Sequence, residues 1–282
     1  MRTIVHTLTR LTIAAALAAT ALPAAAGCAR QEQSGPASTP EQGLPPLGTI
    51  VFDMAHGEVF GAQDTTPLGQ SGAVGLMRDA GYEVVINQDE ITVDDLEGAS
   101  GLVLAGPMVP LRDAEYEVVT RFIEAGGTVL LTIHVPFPVL KVPAHWGLPV
   151  GTEIMMSRSP AGNPAEPSVF VADSITESPI TEGVSQVLIV SGWPVAAASS
   201  DGKIIVSTRE DTWLAAAGDQ APEPPADVAY GSLGLVGVTQ LGQGRIVVCG
   251  DDAIFANLAL GEADNTRLLR NIIDLMSIAT EV

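Results

Sequence analysis

The chain has 282 residues, with 46% hydrophobic, 4% aromatic and 16% charged residues, and a formal net charge of −20. This length is enough for one large domain or two modest ones with a substantial core. The excess of acidic side chains argues against nucleic acid as a partner, because a phosphate backbone needs a basic surface. It also argues against adsorption to an anionic membrane face through surface charge.

The first 27 residues have the pattern of a bacterial targeting segment. Two arginines precede an apolar run rich in Ala and Leu, which is short for a membrane span. The run ends in Ala-Ala-Gly-Cys at 25–28, which resembles the lipobox of bacterial lipoproteins. The resemblance implies cleavage before Cys28 and its lipidation, which would anchor the chain at the extracytoplasmic face of the cell membrane. The alternative is an ordinary secreted protein cut after the three alanines at 24–26.

Residues 28–47 follow the targeting segment and are rich in Pro, Gly, Ser, Gln and Glu, with no apolar periodicity. This composition predicts a flexible tether that lifts a domain away from the membrane. We expect a single α/β domain over residues 48–280.

The first half of this domain alternates between apolar runs and helical patterns. The pattern predicts strands at 49–52, 83–86, 101–105 and 128–133, helices at 67–80 and 112–125, and a capped helical turn at 92–96. Unbroken apolar strands that alternate with helices are typical of a parallel sheet covered on both faces. The fold class expected is therefore α/β, a flavodoxin-like three-layer sandwich with a mostly parallel sheet.

The second half is less regular and adds a β-rich segment. Strands are predicted at 168–172, 187–190, 203–207, 233–239 and 245–249, with a further strand fragment inside 151–167. Prolines break up residues 135–150, and residues 211–230 are interpreted as a Pro- and Ala-rich excursion. A closing amphipathic helix is predicted at 264–276, with Asp264 as its candidate N-cap.

Three stretches together resemble one superfamily. They are VFDMAHGE at 51–58, residues 100–131 with the sequence EAGG before a strand, and SPITEGV at 178–184 taken with residues 244–276. The chain is similar to the class I glutamine amidotransferase-like superfamily over roughly 48–276. It is closest to the noncatalytic branches with DUF4350-type and GldG-type domains, which occur in membrane-associated and secreted bacterial proteins.

The catalytic members of that superfamily use a cysteine nucleophile on a tight strand-to-helix turn. In this chain the corresponding strand at 128–133 runs into His134, and Cys249 lies inside an apolar strand. A buried thiol in a strand is inert by default. No histidine follows the late strand to complete the family's triad, so the chain resembles a pseudoenzyme of this fold.

Candidate ligand-binding residues stand where predicted strands end. They are Asp53, His56, Gly57, Glu58, Gly106, His134, Asp251 and Asp252. Parallel strand ends converge on one edge of a sheet, the usual ligand crevice. Carboxylates with imidazole could hold a divalent cation or act as acid and base. The alternative is turn chemistry, in which the aspartates accept backbone N–H bonds and His56 packs on a neighbour. No pair has a spacing specific enough to predict a metal or cofactor.

Three functional hypotheses follow. The first is a lipid-anchored, extracytoplasmic, noncatalytic domain that binds a ligand or an envelope protein. The second is an envelope hydrolase that uses Asp53, His56 and Asp251. The third, which rests on the GldG-like resemblance, is the binding component of a transport system beside membrane subunits.

Overall fold

An eight-stranded sheet places the polar turns of this chain along one edge. The computed structural model describes residues 46–136, 141–163, 165–217 and 223–277, and these belong to one compact unit that begins at Pro46. The predicted signal peptide with Cys28, and all but the end of the predicted tether, lie outside the described residues.

The strands within the described residues agree closely with the sequence pattern in the first half of the chain. In chain order they are β1 (Thr49–Asp53), β2 (Glu83–Asn87), β3 (Ala99–Ala105), β4 (Thr128–Thr132), β5 (Ile154–Ser157), β6 (Val169–Ala172), β7 (Ser174–Ile175), β8 (Val187–Val190), β9 (Gly202–Ser207), β10 (Thr212–Ala215), β11 (Gly234–Leu241) and β12 (Gly244–Cys249).

The large sheet has the order β2-β1-β3-β4-β12-β11-β9-β7. Its first five strands run parallel, and β11, β9 and β7 extend it through antiparallel pairings. Two further antiparallel pairs, β5 with β10 and β6 with β8, lie outside it. The predicted mostly parallel sheet with an added β-rich segment is confirmed.

The helices cover both faces of the sheet. They are α1 (Ser71–Asp79), α2 (Val93–Leu96), α3 (Asp113–Glu124), α4 (Lys141–His145) and α5 (Asn265–Met276). Successive strand residues point to opposite faces, so Phe52 packs with residues of α1 and α5, whereas its neighbour Val51 packs with residues of α2, α3 and α4. This arrangement is the predicted three-layer sandwich.

Three details differ from the sequence prediction. The helix expected at 67–80 is confined to α1, because residues 61–70 form a loop held by backbone bonds such as Gln70 N–H to the Gly61 carbonyl at 2.9 Å. The excursion at 211–230 contains β10, which pairs with β5. Asp264 precedes α5 but its side chain makes no helix-capping bond; its carboxylate instead accepts bonds from Ser185 and Gln186.

Candidate functional site

The parallel strands end at one edge of the sheet, and the buried polar side chains of the chain concentrate there. Asp53 is the last residue of β1 and lies in register with Asn87, the last residue of β2. The side-chain amide of Asn87 donates to Asp53 Oδ1 at 3.0 Å. This hydrogen bond fixes the orientation of the Asp53 carboxylate, which is fully buried.

His56 is held between two buried carboxylates on the turn that follows β1. Its Nδ1 lies 2.6 Å from Asp53 Oδ2, and its Nε2 lies 3.2 Å from Glu115 Oε1. Burial acts against the charged ring, but Asp53 and then Glu115 outweigh it and raise the pKa of His56 to about 9. At neutral pH the imidazole is therefore a cation between two anions, with no ring nitrogen left to accept a proton from a substrate.

Glu115 reaches this cluster from the first turn of α3. Its two oxygens accept the backbone N–H groups of Ile91 and Arg112, both at 3.0 Å. Burial alone would raise the pKa of Glu115, but these backbone bonds and the His56 charge lower it. The sequence pattern does not single out Glu115 as a site residue. A glutamate three residues after a helix start is ordinary capping chemistry, and only its burial distinguishes this one.

Glu58 folds back onto the same turn. Its Oε2 accepts the His56 backbone N–H at 3.0 Å, whereas its Oε1 is buried without a hydrogen-bond partner. Gly57 allows this reversal because its φ is +72°, a conformation that side chains disfavour. Burial, and after it the neighbouring Asp53 carboxylate, raise the pKa of Glu58 to about 8.

The second cluster joins the turns that follow β3, β4 and β12. His134 Nδ1 lies 3.0 Å from Asp252 Oδ2, and within the described residues no hydrogen bond reaches His134 Nε2. The His134 side chain is 28% exposed and packs edge-on against the ring of Phe60. The hydrogen bond to Asp252 raises the pKa of His134, and burial raises the pKa of Asp252. The pair thus holds its protons to a higher pH than the free side chains would.

Gly106 makes room for this pair. Its φ is +74°, and a Cβ at this position would collide with Asp252 Oδ2 and lie 3.1 Å from His134 Cβ. The structure therefore brings together Gly106, His134 and Asp252, which are distant in sequence, as their predicted positions at strand ends imply.

Asp251 has a different role from its neighbour. Its carboxylate accepts the backbone N–H of Val190 at 2.5 Å and of Ala253 at 2.9 Å. Burial raises the pKa of Asp251 well above its usual range. Both oxygens are thus engaged in fixing the β12 turn to β8, and its hydrogen bonds do not extend to Asp53 or His56. This is the turn chemistry that the sequence pattern left open for Asp251.

The only cysteine in the described residues, Cys249, ends β12 with no exposed surface. Its thiol donates to the Asp251 carbonyl at 3.3 Å. Burial raises the pKa of the Cys249 thiol well above its usual value. A protonated, buried thiol is a poor nucleophile.

A mostly parallel sheet with helices on both faces, and with buried histidine–carboxylate clusters at its carboxyl edge, defines a flavodoxin-like α/β fold of the glutamine amidotransferase-like type. The model of the family described as Domain of unknown function (DUF4350) matches residues 62–273. The chain belongs to this family. A search of curated proteins finds no match to the sequence.

Solved structures are similar in fold. The mmIFT52 N-terminal domain superposes with a TM-score of 0.66 at 16% identity, covering 83% of this chain and 99% of that domain. A putative ThuA-like protein from Bacteroides uniformis gives a TM-score of 0.55 at 13% identity, covering 88% and 97%. A putative GMP synthase protein from Thermoplasma acidophilum gives 0.47 at 12% identity, covering 81% and 94%.

Among the described residues, the helices are all too short or too polar to cross a bilayer.

Proposed function

We propose that this chain is a noncatalytic binding domain, held by a lipid on Cys28 at the extracytoplasmic face of the cell membrane, that contacts an envelope protein through the carboxyl edge of its sheet. The observation that carries the proposal is the content of that edge. The turn after β4 presents a partly exposed imidazole, His134, at the place where the catalytic members of the superfamily carry a cysteine.

Exposed apolar side chains next to the His56 cluster support a protein partner. Val59 and Val109 are 51% and 52% exposed, and they stand on the loops that follow β1 and β3. The two loops are joined because the backbone N–H groups of Met108 and Val109 both donate to the His56 carbonyl at 2.8 Å. Exposed valines beside polar groups are typical of a surface that another protein covers.

The lipid anchor rests on the lipobox-like sequence at 25–28 and on the tether-like composition of residues 28–47. Several acyl chains would make such an anchor stable, whereas one alone is marginal. The GldG-like resemblance adds a more specific form of the proposal. In that form the domain is the accessory or binding component of a membrane transport complex.

Co-purification from membranes tests the proposal. The full chain, affinity-tagged at its C-terminus, is expected to retain a defined membrane or envelope protein, and Val109→Asp is expected to lose it. Leu47→Asp is the matched control, because Leu47 is 66% exposed but precedes β1 at the opposite edge. Equal retention by wild type and Val109→Asp would contradict binding at the carboxyl edge.

A second candidate function is hydrolysis of envelope carbohydrate or peptide. It is favoured by the His134–Asp252 pair, in which a buried carboxylate orients an imidazole whose second nitrogen is unpaired within the described residues. The hypothesis that used Asp53, His56 and Asp251 is less well supported, since the hydrogen-bonding atoms of all three are engaged. Release of reducing ends or amino groups from cell-wall material, lost in His134→Gln, would support hydrolysis. No release by the wild type would refute it.

A further inference from the structure

We propose that Asp53, His56 and Glu58 form a binding site for one divalent transition-metal ion of the zinc class. This site is separate from the apolar contact surface, so the inference stands or fails independently of the partner proposed above.

The three side chains have the arrangement that a metal site needs. One candidate ligand atom from each lies within 4.8 Å of the other two, and all three residues are buried. This is the single such group of histidine, cysteine and acidic side chains within the residues that the structure describes. It is built on the end of β1 and on the turn that follows, so a rigid sheet supports it.

Hydrogen bonds on the outer side of the cluster select which atoms face its centre. His56 Nε2 is engaged by Glu115 Oε1 at 3.2 Å, which leaves Nδ1 facing Asp53. Glu115 is itself fixed by the backbone N–H groups of Ile91 and Arg112. A carboxylate on the distal nitrogen of a ligating histidine is the usual outer-shell partner in metal sites, where it orients the ring and raises its basicity.

The two carboxylates are oriented in the same way. Asp53 Oδ1 accepts from Asn87 at 3.0 Å, so Oδ2 faces the ring. Glu58 Oε2 accepts the His56 backbone N–H at 3.0 Å. The other oxygen of Glu58 has no hydrogen-bond partner although the residue is only 9% exposed. An unpartnered buried carboxylate oxygen is costly, and a cation bound in the cluster would satisfy it.

The ligand chemistry indicates the class of ion. One imidazole nitrogen and two carboxylate oxygens suit zinc and neighbouring first-row ions better than calcium, which prefers oxygen alone. His56 Nδ1 and Asp53 Oδ2 are now 2.6 Å apart, a hydrogen-bond distance. An ion with bonds of about 2.0–2.2 Å would take the place of that hydrogen bond and move the two atoms slightly apart.

The test uses the full chain, stripped of metal with a chelator and titrated with zinc by calorimetry. We expect one zinc ion per chain. Glu58→Gln, which keeps the shape of the side chain but lowers its affinity for a cation, should weaken binding by at least tenfold. Glu115→Gln should weaken it by roughly 10- to 100-fold, as outer-shell substitutions do. His134→Gln is the matched control and should bind like wild type, because His134 belongs to the other cluster.

Binding at less than one zinc ion per chain would overturn the proposal. So would equal affinity in wild type, Glu58→Gln and Glu115→Gln, since zinc would then be held by the acidic surface. If Glu58→Gln does not fold, Glu115→Gln and nitrogen NMR of the wild type decide. A zinc-induced shift of His56 Nδ1 supports the site, and an unchanged Nδ1 resonance refutes it.

Discussion

His56 shows how the local sequence of this chain determines the chemistry of a single side chain. Asp53 is three residues earlier and bonds one ring nitrogen, while Glu115 arrives from α3 and bonds the other. The sequence predicts the first contact, because a turn brings residues three apart together. It does not predict the second, which depends on how α3 packs against the sheet.

The raised pKa values of Glu58 and His56 predict that the folded protein loses stability as the pH rises. The pKa of Glu58 is about 8 in the folded state, against an ordinary value of 4.5. The pKa of His56 is about 9, against an ordinary value of 6.5. Because the unfolded chain binds fewer protons across this range, the free energy of unfolding must fall between pH 6 and pH 9.

Urea unfolding with a chelator present, at pH 6 and at pH 9, measures this loss. Glu58→Gln carries no titrating proton at position 58, so its loss should be smaller than that of wild type. Glu97→Gln, an exposed control, should behave like wild type. A free energy of unfolding that is constant or rises over this range would contradict the expected protonation of the cluster.

Gly106→Ala tests the second cluster. The new Cβ would collide with the Asp252 carboxylate, so we expect destabilisation by about 2 kcal/mol or more. The pKa of His134 should also fall toward its ordinary value as the bond to Asp252 is lost. Gly98→Ala is the control, because Gly98 has a similar φ of +71° with no atom within 4 Å of its added Cβ.

Thermal unfolding and NMR titration of His134 measure the two effects. Equal destabilisation by the two alanine substitutions, with an unchanged pKa of His134, would show that Gly106 matters only for its backbone conformation.

Residue chemistry is predictable from this sequence where it is local or follows from strand order, and obscure elsewhere. The convergence of His134, Asp252 and Gly106 follows from the rule that parallel strands end at one edge. The role of Asp264 does not, because its carboxylate binds Ser185 and Gln186, which are distant in sequence, rather than its own helix.

At the level of secondary structure, the elements that carry a clear periodic pattern can be predicted from the sequence. The pattern predicts strand β8 at its observed bounds, and α3 and α5 to within one residue at each end. It does not predict helix α4 or strand β10, because each is short and lies in a stretch rich in proline or alanine. Such elements are stabilised by tertiary packing, which overrides local propensity.

Helix α5 depends on Asn265 for its attachment to the rest of the fold. This residue is fully buried, and its amide bonds the Leu188 backbone N–H and the backbone carbonyls of Leu188, Ile254 and Ala259. Asn265→Ala would leave these groups unsatisfied, so we expect destabilisation of about 3 kcal/mol.

Asn271→Ala, on the same helix, is the control. Asn271 is half-buried and donates to the Ile180 and Glu182 carbonyls, so its loss should cost about 1 kcal/mol. Chemical denaturation of both variants gives the comparison. A cost for Asn265→Ala no greater than that for Asn271→Ala would contradict the role of Asn265.

At the scale of the whole molecule, the proposed function depends on the anchor. Cleavage before Cys28 would remove arginines but no acidic residue, so the mature chain would be still more acidic. Its surface charge therefore favours release from an anionic membrane unless lipid holds it. We expect Cys28→Ser to move the protein from the membrane to the soluble fraction, and globomycin to block processing of the wild type. A soluble, unlipidated wild-type product would contradict the lipoprotein assignment.

The proposed molecule is a lipid-anchored domain that meets an envelope protein at the carboxyl edge of its sheet. Site-specific photo-crosslinking in intact membranes tests this most directly. A photoreactive residue at position 109, beside the His56 turn, should yield one discrete crosslinked protein, and the same residue at position 47 should not. Equal crosslinking at both positions, or no discrete product at position 109, would contradict the account.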